Sequence, residues 1–324
     1  MIRLQNPLPA VLAIALPTML CTVVAGPAWA ERWSFEPGKD QLIGELRIEY
    51  ARRSDTLMDI ARWLNMGYRE IRLANPDVDL WKPGEGAQVL IPSLFILPDA
   101  PPEGIVINRA EKRLYFFNED PESGQPQVTT HPIGIGRDGR ETPVGTARVT
   151  ARLDNPAWYP TDGVIADYAA RGMDLARVIP PGPDNPLGEH ALVLDLPGYL
   201  IHGTNRPDGV GMRVSQGCVR MYPEHIRRLI TEVPLGTPVR FVDQPLKLGE
   251  RDGHLYLEVH PGPNGKVPDT SDLADAIDAW MELHGQRLTH SLDMALAETL
   301  LGEANGVPGR ITRAAGRDLS PEKN

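Results

Sequence analysis

The chain has 324 residues, 41% hydrophobic and 23% charged, which is enough for about two globular domains. Its formal charge of -10 at pH 7 argues against a nucleic-acid partner, because such a partner requires a basic surface. The 32 prolines and 31 glycines indicate many turns and short strands rather than a helical bundle.

The first 30 residues have the features of a secretory signal peptide. Arg3 is their single charged side chain, an apolar stretch runs from Ala10 to Val24, and Ala28-Trp29-Ala30 forms a cleavage site. Proline and glycine interrupt the stretch, which favours cleavage over retention as a membrane anchor. We therefore expect a periplasmic protein. Cleavage removes Cys21 and leaves Cys218 as the one cysteine, so an internal disulfide is excluded.

Residues 46–92 form a predicted unit of strand, two helices and strand. A strand at Leu46 to Tyr50 precedes Ser54-Asp55, which we expect to cap the first helix. The second helix ends at Asn75-Pro76, because proline cannot continue it, and Gln88 to Pro92 is the closing strand. With its sequence SDTLMDIA…NP…G…VLIP, the unit resembles a LysM domain, a family that binds glycans containing N-acetylglucosamine. The resemblance implies glycan contact; a spacer that has lost sugar binding is the alternative.

Residues 104–242 follow a proline-rich joint and are predicted to be mostly strands. Their spacing is typical of a β-sandwich, so we expect a mainly β protein with a small α+β unit before the sandwich. A proline-rich, irregular insertion covers 154–187, and loops of that length are usually lids or binding walls. The predicted strands are Ile105–Ile107, Leu114–Phe117, Gln127–Ile135, Thr146–Ala151, Ala191–Leu196, Tyr199–Ile201 and Pro238–Val242.

A C-terminal extension, residues 243–324, is predicted to be partly helical. Leu255–Val259 is typical of a strand, and apolar residues recur at helical spacing over Ser271–Leu283 and Arg287–Leu301. We expect these helices to pack on the preceding domain.

No cofactor is predicted from the remaining motifs. Gly134-Ile-Gly136-Arg-Asp-Gly139 fits the dinucleotide fingerprint GxGxxG, but Thr142-Pro143 follows it where a helix is needed, so we interpret it as a turn between strands. A metal is not predicted either, because metal-ligand spacing is lacking at His131, His190, His225 and His254.

The residues suited to catalysis lie between Ile201 and Met221. A free thiol is mostly protonated at neutral pH, and an imidazole within reach activates it by taking the proton. His202 and Cys218 stand sixteen positions apart, and the glycine-rich loop between them allows them to meet. Gly217 lets the backbone approach closely, so its amide and that of Cys218 are a candidate oxyanion hole. The carbonyl of Gly203 is the candidate for orienting the base, because no carboxylate adjoins it.

At these residues the chain resembles the YkuD-type L,D-transpeptidases. Their signature is a histidine, a glycine-rich loop, then Ser or Thr followed by His-Gly-Cys, an apolar residue and Asn or Arg. Gln216 stands where this signature has its second histidine, and glutamine occurs there in the ErfK/YbiS branch. The matching residues are His202, Ser215, Gly217, Cys218 and Arg220. Four further segments resemble the sequences of this branch: TPVG (142–145), PPGPDNPLG (180–188), GTPVRFVDQP (236–245) and LYLEVH (255–260).

The resemblance implies an acyl transfer on peptidoglycan stem peptides and susceptibility to carbapenems. Cys218 attacks the carbonyl at the L-centre of meso-diaminopimelate in a tetrapeptide stem, D-alanine leaves, and an amine opens the thioester. In this branch the acceptor is commonly the C-terminal lysine of a Braun-type outer-membrane lipoprotein, whereas other members form 3→3 cross-links. Substrate-binding roles are expected for Arg220, as a bidentate carboxylate partner, and for Ser215, Thr204 and Asn205.

Two alternatives remain open. The same residues would support an L,D-peptidase in which water replaces the amine, because pocket shape and water exclusion select the acceptor. The other alternative is a non-catalytic wall-binding scaffold with an inert thiol.

Overall fold

The computed structural model describes residues 31–313 and is mainly β, as the sequence predicts. The signal peptide predicted for residues 1–30 lies outside the described residues, as do residues 314–324 of the C-terminal extension. The helices are α1 (Leu57–Trp63), α2 (Tyr68–Ala74), α3 (Asp162–Ala169), α4 (Pro223–Glu232), α5 (Thr270–His284) and α6 (Met294–Glu303). The strands are β1 (Arg32–Ser34), β2 (Leu42–Gly44), β3 (Arg47–Tyr50), β4 (Gln88–Ile91), β5 (Leu94–Ile96), β6 (Gly104–Asn108), β7 (Arg113–Glu119), β8 (Pro126–Pro132), β9 (Ile135–Gly136), β10 (Gly145–Asp154), β11 (His190–Leu194), β12 (Leu200–His202), β13 (Arg213–Ser215), β14 (Val219–Arg220), β15 (Pro238–Val242), β16 (Leu246–Arg251), β17 (His254–Val259), β18 (Ser291–Leu292), β19 (Gly309–Arg310) and β20 (Thr312–Arg313).

A nine-stranded sheet forms the centre of the molecule, in the order β1-β8-β7-β6-β15-β10-β11-β12-β14. Its pairs are antiparallel except β6 with β15 and β12 with β14. The register shifts within β10 between Val149 and Ala151, and such a bulge bends a strand. Side chains from both halves of the sheet, such as Phe116 and Ile201, therefore share one buried core, as in the predicted sandwich.

The N-terminal unit has the predicted order of strand, two helices and strand, with β3 antiparallel to β4. The predicted cap of α1 is wrong by one or two residues, because Thr56 caps the helix in place of Ser54 or Asp55. Its hydroxyl accepts from the amide of Asp59 at 3.1 Å, and the Asp59 carboxylate accepts from the amide of Thr56 at 3.0 Å. Asp55 instead accepts from the amide of Arg52.

Residues 31–45, which have no predicted structure, connect the N-terminal unit to the central sheet. Strand β1 pairs with β8 at the edge of that sheet, and β2 pairs with β5. Two buried ion pairs also cross the boundaries: Arg113 with Glu70 at 2.7 Å, and Lys247 with Glu111 at 3.0 Å. Because an unpaired buried charge is strongly destabilising, these pairs fix how the N-terminal and C-terminal segments sit on the sheet.

The insertion is more ordered than expected, because α3 lies inside it. Thr161 caps this helix, and Val164 is its one buried residue, which explains why apolar spacing did not predict it. Asn185 is fully buried and ties the insertion together: its side-chain amide donates to the Pro156 carbonyl at 2.8 Å, and its oxygen accepts from the Leu187 amide at 2.9 Å.

The C-terminal extension contains α5 as predicted, but the second predicted helix begins too early. Residues 288–293 are not helical, because Ser291 and Leu292 pair with β20 and Asp293 caps α6. Helix α4 was not predicted, although Pro223 stands at its first turn and its apolar side chains face the core. Within residues 31–313, no helix is both long enough and apolar enough to cross a membrane.

Candidate active site

Strand pairing brings the two predicted reactive residues to one face of the central sheet. β12 and β14 are parallel, with Ile201 opposite Val219 and His202 opposite Arg220. Because side chains alternate along a strand, Ile201 and Val219 enter the core, whereas His202 and Arg220 lie on the other face. Cys218 directly precedes β14 and lies two positions before Arg220, so the same alternation, continued by one residue, puts its side chain on the face of His202.

The Cys218 thiol is half-buried and is held by backbone groups. It donates a hydrogen bond to the Gly198 carbonyl at 3.4 Å and accepts one from the Leu200 amide. Burial raises the pKa of the thiol above its usual value of 9.0, although the Leu200 amide and the Arg220 charge act in the opposite direction. The resting cysteine is therefore a neutral thiol at pH 7.

His202 is buried, and the carbonyl of Gly203 lies 2.6 Å from its Nδ1. Because a carbonyl only accepts, Nδ1 carries the proton and Nε2 remains as the basic nitrogen. Burial, helped by the Arg220 charge, lowers the imidazole pKa from 6.5 to about 4; the neighbouring carbonyls of Gly203 and Leu187 oppose that shift, because they favour the protonated ring. A neutral imidazole therefore accompanies a neutral thiol.

The loop before Cys218 is fixed by internal hydrogen bonds. The Ser215 hydroxyl donates to the Cys218 carbonyl at 2.5 Å and accepts from the Gly217 amide at 3.1 Å. Thr142 donates to the Gly217 carbonyl at 2.7 Å. Gly217 has a φ of +113°, and a Cβ there would lie 3.0 Å from the Tyr199 ring, so only glycine suits the position.

These contacts limit two of the predicted roles. The Gly217 amide already has an acceptor, so joining an oxyanion hole requires it to share or exchange the bond to Ser215. The Ser215 hydroxyl is occupied within the loop, which makes loop positioning its observed role; substrate contact stays a prediction.

Arg220 adds a positive charge beside the reactive pair, and it forms no ion pair with the residues that the structure describes. Its side chain is half-buried, and its Nε is buried with no hydrogen-bond partner among residues 31–313. Burial and the neighbouring Arg206 lower the guanidinium pKa, but the group stays charged. An anionic substrate group would relieve this charge, which agrees with the predicted carboxylate contact.

Thr204 and Asn205 hold the segment after His202. The Thr204 hydroxyl accepts from the Arg206 amide at 2.9 Å, and the Asn205 amide donates to the Pro183 carbonyl of the insertion at 3.1 Å. Both contacts are internal to the protein, so substrate binding by these two residues stays a prediction.

A polar network that the sequence did not predict joins the insertion to the catalytic loop. Arg137 donates to Asp167 of α3 at 2.6 Å and lies 3.5 Å from the Gln216 side-chain oxygen. Arg140 donates to the same carboxylate at 3.1 Å. Tyr168, the next residue of α3, is close enough to Arg220 to raise the pKa of its guanidinium slightly, against the effect of burial. The glycine-rich segment that mimics a nucleotide motif thus supplies Arg137, Arg140 directly follows it, and the two arginines hold α3 beside the catalytic loop.

Sequence signals existed for some of these supporting residues. Thr142 belongs to the TPVG motif, and Asn185 and Leu187 belong to PPGPDNPLG, but the motifs alone did not indicate what they contact. For Arg137 and Asp167 no local pattern indicated a role, because they are thirty positions apart and meet only through the fold.

A group with metal-ligand chemistry lies elsewhere in the described part of the chain. It consists of Glu111, Glu258 and His260, all buried. The Lys247 ammonium bonds both carboxylates, at 3.0 and 2.9 Å, so a cation already occupies this group. We assign it a structural role.

Comparison with known proteins agrees with the geometry. Residues 102–241 match the YkuD model, described as an L,D-transpeptidase catalytic domain. The chain is similar to the probable L,D-transpeptidase YcfS of Escherichia coli K12, with 40% identity over 256 residues that cover 77% of this chain and 79% of that protein. It is also similar to ErfK/SrfK of the same strain, with 38% identity and coverage of 79% and 82%.

Two further similarities cover less of this chain. The probable L,D-transpeptidase YbiS of Escherichia coli K12 is 46% identical over 60% of this chain and 63% of its own length. Among solved structures, the catalytic domain of an Enterococcus faecium L,D-transpeptidase, determined by NMR, matches 45% of this chain and 100% of that chain. Its identity is 18% and its TM-score is 0.33, values from which we draw no conclusion.

Proposed function

This chain belongs to the YkuD family of L,D-transpeptidases, which are cysteine acyltransferases, and from that premise we propose its reaction. The donor is the tetrapeptide stem of peptidoglycan, cleaved after meso-diaminopimelate, and the acceptor is an amine. The observation that carries the proposal is the neutral His202, oriented by Gly203, on the same sheet face as the Cys218 thiol.

In the first half-reaction, Nε2 of His202 takes the thiol proton while Cys218 Sγ attacks the carbonyl at the L-centre of diaminopimelate. The imidazolium then gives its proton to the departing D-alanine amine, the carbon–nitrogen bond breaks, and a thioester remains. Arg220 is placed to bind a carboxylate of the stem during these steps.

In the second half-reaction, the acceptor amine attacks the thioester carbonyl. His202 removes the proton that the nitrogen loses, and the carbon–sulfur bond breaks as that proton returns to Cys218. A new amide is formed and the enzyme is restored. The two half-reactions require no external oxidant, reductant or nucleotide.

The acceptor that we propose is the C-terminal lysine side chain of a Braun-type outer-membrane lipoprotein. The ErfK/YbiS-type segments of the sequence support this choice, together with the overall similarity to proteins of that branch. We also propose that the protein is exported to the periplasm by residues 1–30, and that its N-terminal unit contacts the glycan strand.

One experiment separates the acceptor possibilities. Purified protein that begins at Glu31 is incubated with tetrapeptide muropeptides and a peptide ending in lysine, and the products are identified by mass. The proposal predicts a conjugate with loss of D-alanine. A muropeptide dimer would instead identify a 3→3 cross-linking enzyme, and tripeptide alone would identify a peptidase.

We expect Asp167→Asn to increase hydrolysis relative to transfer by about 3- to 10-fold. The substitution weakens two partly exposed ion pairs, those of Asp167 with Arg137 and Arg140, and so loosens the attachment of α3 to the catalytic loop. The measurement is the ratio of tripeptide to conjugate.

Asp162→Asn is the matched control for this prediction. Asp162 lies on the same helix, but its carboxylate is exposed and pairs with Arg177. The control should keep the wild-type ratio. An unchanged ratio in Asp167→Asn would show that α3 does not exclude water from the thioester.

A further inference from the structure

Two histidines that the proposed reaction does not use are buried between β8 and α4. His131 of β8 and His225 of α4 are each 2% exposed, and their ring centroids lie 5.0 Å apart. His131 stands opposite Leu114 of β7, and residues directly opposite each other share one face of a sheet. Its ring therefore enters the core that also contains Leu114 and the apolar side chains of α4. The contact between the two rings is part of what holds α4 against the sheet.

Both rings are neutral at pH 7, and a charge on either would be poorly accommodated. Nδ1 of His131 and both nitrogens of His225 are buried and have no hydrogen-bond partner among residues 31–313. A protonated imidazole donates from both nitrogens, so charging His225 would leave two buried donors without an acceptor in this range. Burial lowers the pKa of His225 from 6.5 to about 4 and holds the pKa of His131 well below 6.5.

The surrounding charges also oppose protonation of the two rings. Arg113 and Arg228 each lower the pKa of both histidines. Glu224 acts in the opposite direction on His225, but Arg62 already binds both of its oxygens at 2.8 Å. The charged or titratable groups around the pair, with their ion-pair partners, are Arg62 of α1, Glu70 of α2, Arg113 of β7, and Tyr222, Glu224, Arg228 and Glu232 of α4 and its N-cap.

The histidine pair lies beside the attachment of the N-terminal unit. Tyr222 caps α4 and meets the His225 ring edge-on, with the centroids 5.4 Å apart; its hydroxyl donates to the Met66 carbonyl at 3.1 Å. Glu224, in the first turn of α4, binds Arg62 of α1. A movement of α4 away from β8 would break both contacts, so the attachment of the N-terminal unit depends on the state of the two histidines.

We propose that His131 and His225 form an acid-sensitive joint, closed when both rings are neutral and opened by their protonation, which controls how tightly the N-terminal unit is held. The joint includes neither Cys218 nor His202, so it goes beyond the proposed function and does not rest on it. Because the pKa of each ring is lower in the folded than in the unfolded chain, the stability contributed by the neutral pair is complete above about pH 6.5. It is lost as the pH falls from there towards 4.

The first test is urea unfolding of the full exported chain between pH 7.5 and 4.5. Each histidine that is charged only in the unfolded chain raises the unfolding equilibrium constant by up to about tenfold per pH unit below 6.5. His225→Phe keeps a ring in the core and should reduce this rise by up to about tenfold per pH unit. His284→Phe is the matched control: this ring of α5 is partly exposed beside Trp280, so the wild-type pH dependence should be kept.

Hydrogen exchange of the wild-type chain locates the opening and needs no variant. After correction for the intrinsic exchange rate, the amides of α1, α2 and α4 should exchange at least about tenfold faster at pH 5 than at pH 7, whereas those of α5 should keep their rate. Acceleration that is as large in α5 as in α4 would overturn the proposal, as would an unchanged pH dependence of unfolding in His225→Phe. Cys218→Ala should respond to acid as the wild type does, so loss of transfer and loss of the joint are separate results.

Discussion

Cys218→Ala is expected to lower the rate of acyl transfer by at least about 10⁴-fold, the scale on which removal of a catalytic nucleophile acts. The reason is chemical, because no other cysteine occurs in residues 31–324 and so no second thiol can form the thioester. The fold should survive, since the thiol is half-buried and its hydrogen bonds within the described residues are to the backbone of Gly198 and Leu200.

Mass spectrometry of the intact protein gives the direct measurement. Wild-type protein incubated with tetrapeptide donor, or with a carbapenem, should gain the mass of one acyl group, and Cys218→Ala should gain none. Thermal unfolding within a few degrees of wild type would show that the loss is chemical. A covalent adduct on Cys218→Ala would refute the assignment of the nucleophile, and no adduct on either protein would favour the wall-binding scaffold.

The reactive residues could be predicted from sequence because their chemistry is local. Cys218 follows Gly217 in a short motif, and His202 ends an apolar strand, so a loop connection was the simplest way to join them. The structure adds that parallel pairing of β12 with β14 sets their relative position. That pairing depends on strands of two and three residues, which are too short to give a clear alternating pattern.

The mainly β fold also followed from the sequence, whereas its long-range connections did not. The strand at Arg32–Ser34 gave no signal, because its place at the sheet edge depends on β8, almost a hundred residues later. Helix α3 was hidden because it buries one residue and is held by Arg137 and Arg140, through charges rather than apolar spacing. Ion pairs of that kind produce no periodic pattern of apolar residues in the sequence.

The two pKa shifts define how the proposed enzyme would start its reaction. A thiolate–imidazolium pair at rest would require a lowered cysteine pKa and a raised histidine pKa. Burial shifts the two groups the other way, so both are neutral, and the nearby Arg220 does not reverse this. The proton must then move as the substrate is attacked. A neutral thiol is also less open to oxidation in an oxidising compartment, because the thiolate is the reactive form.

His202→Ala is therefore expected to reduce acylation at pH 7 by about 10²- to 10⁴-fold, the usual contribution of a general base. The pH dependence should change as well. In wild type the base is neutral above its pKa of about 4, so activity should fall on the acid side near pH 4 and not near 6.5. In His202→Ala only thiolate already formed can react, so the rate should rise about tenfold per pH unit until the raised pKa of Cys218 is reached.

The measurement is the rate of carbapenem acylation between pH 4 and 10, followed by mass. His190→Gln is the matched control: His190 lies on the neighbouring strand β11 and bonds Asp154, so the wild-type profile should be kept. If the acylation rate of the wild-type enzyme fell below pH 6.5, burial would not hold His202 neutral. A rate for His202→Ala that does not change with pH would show that deprotonation of Cys218 does not limit the reaction. That result would contradict the role of His202 as the base that removes the thiol proton.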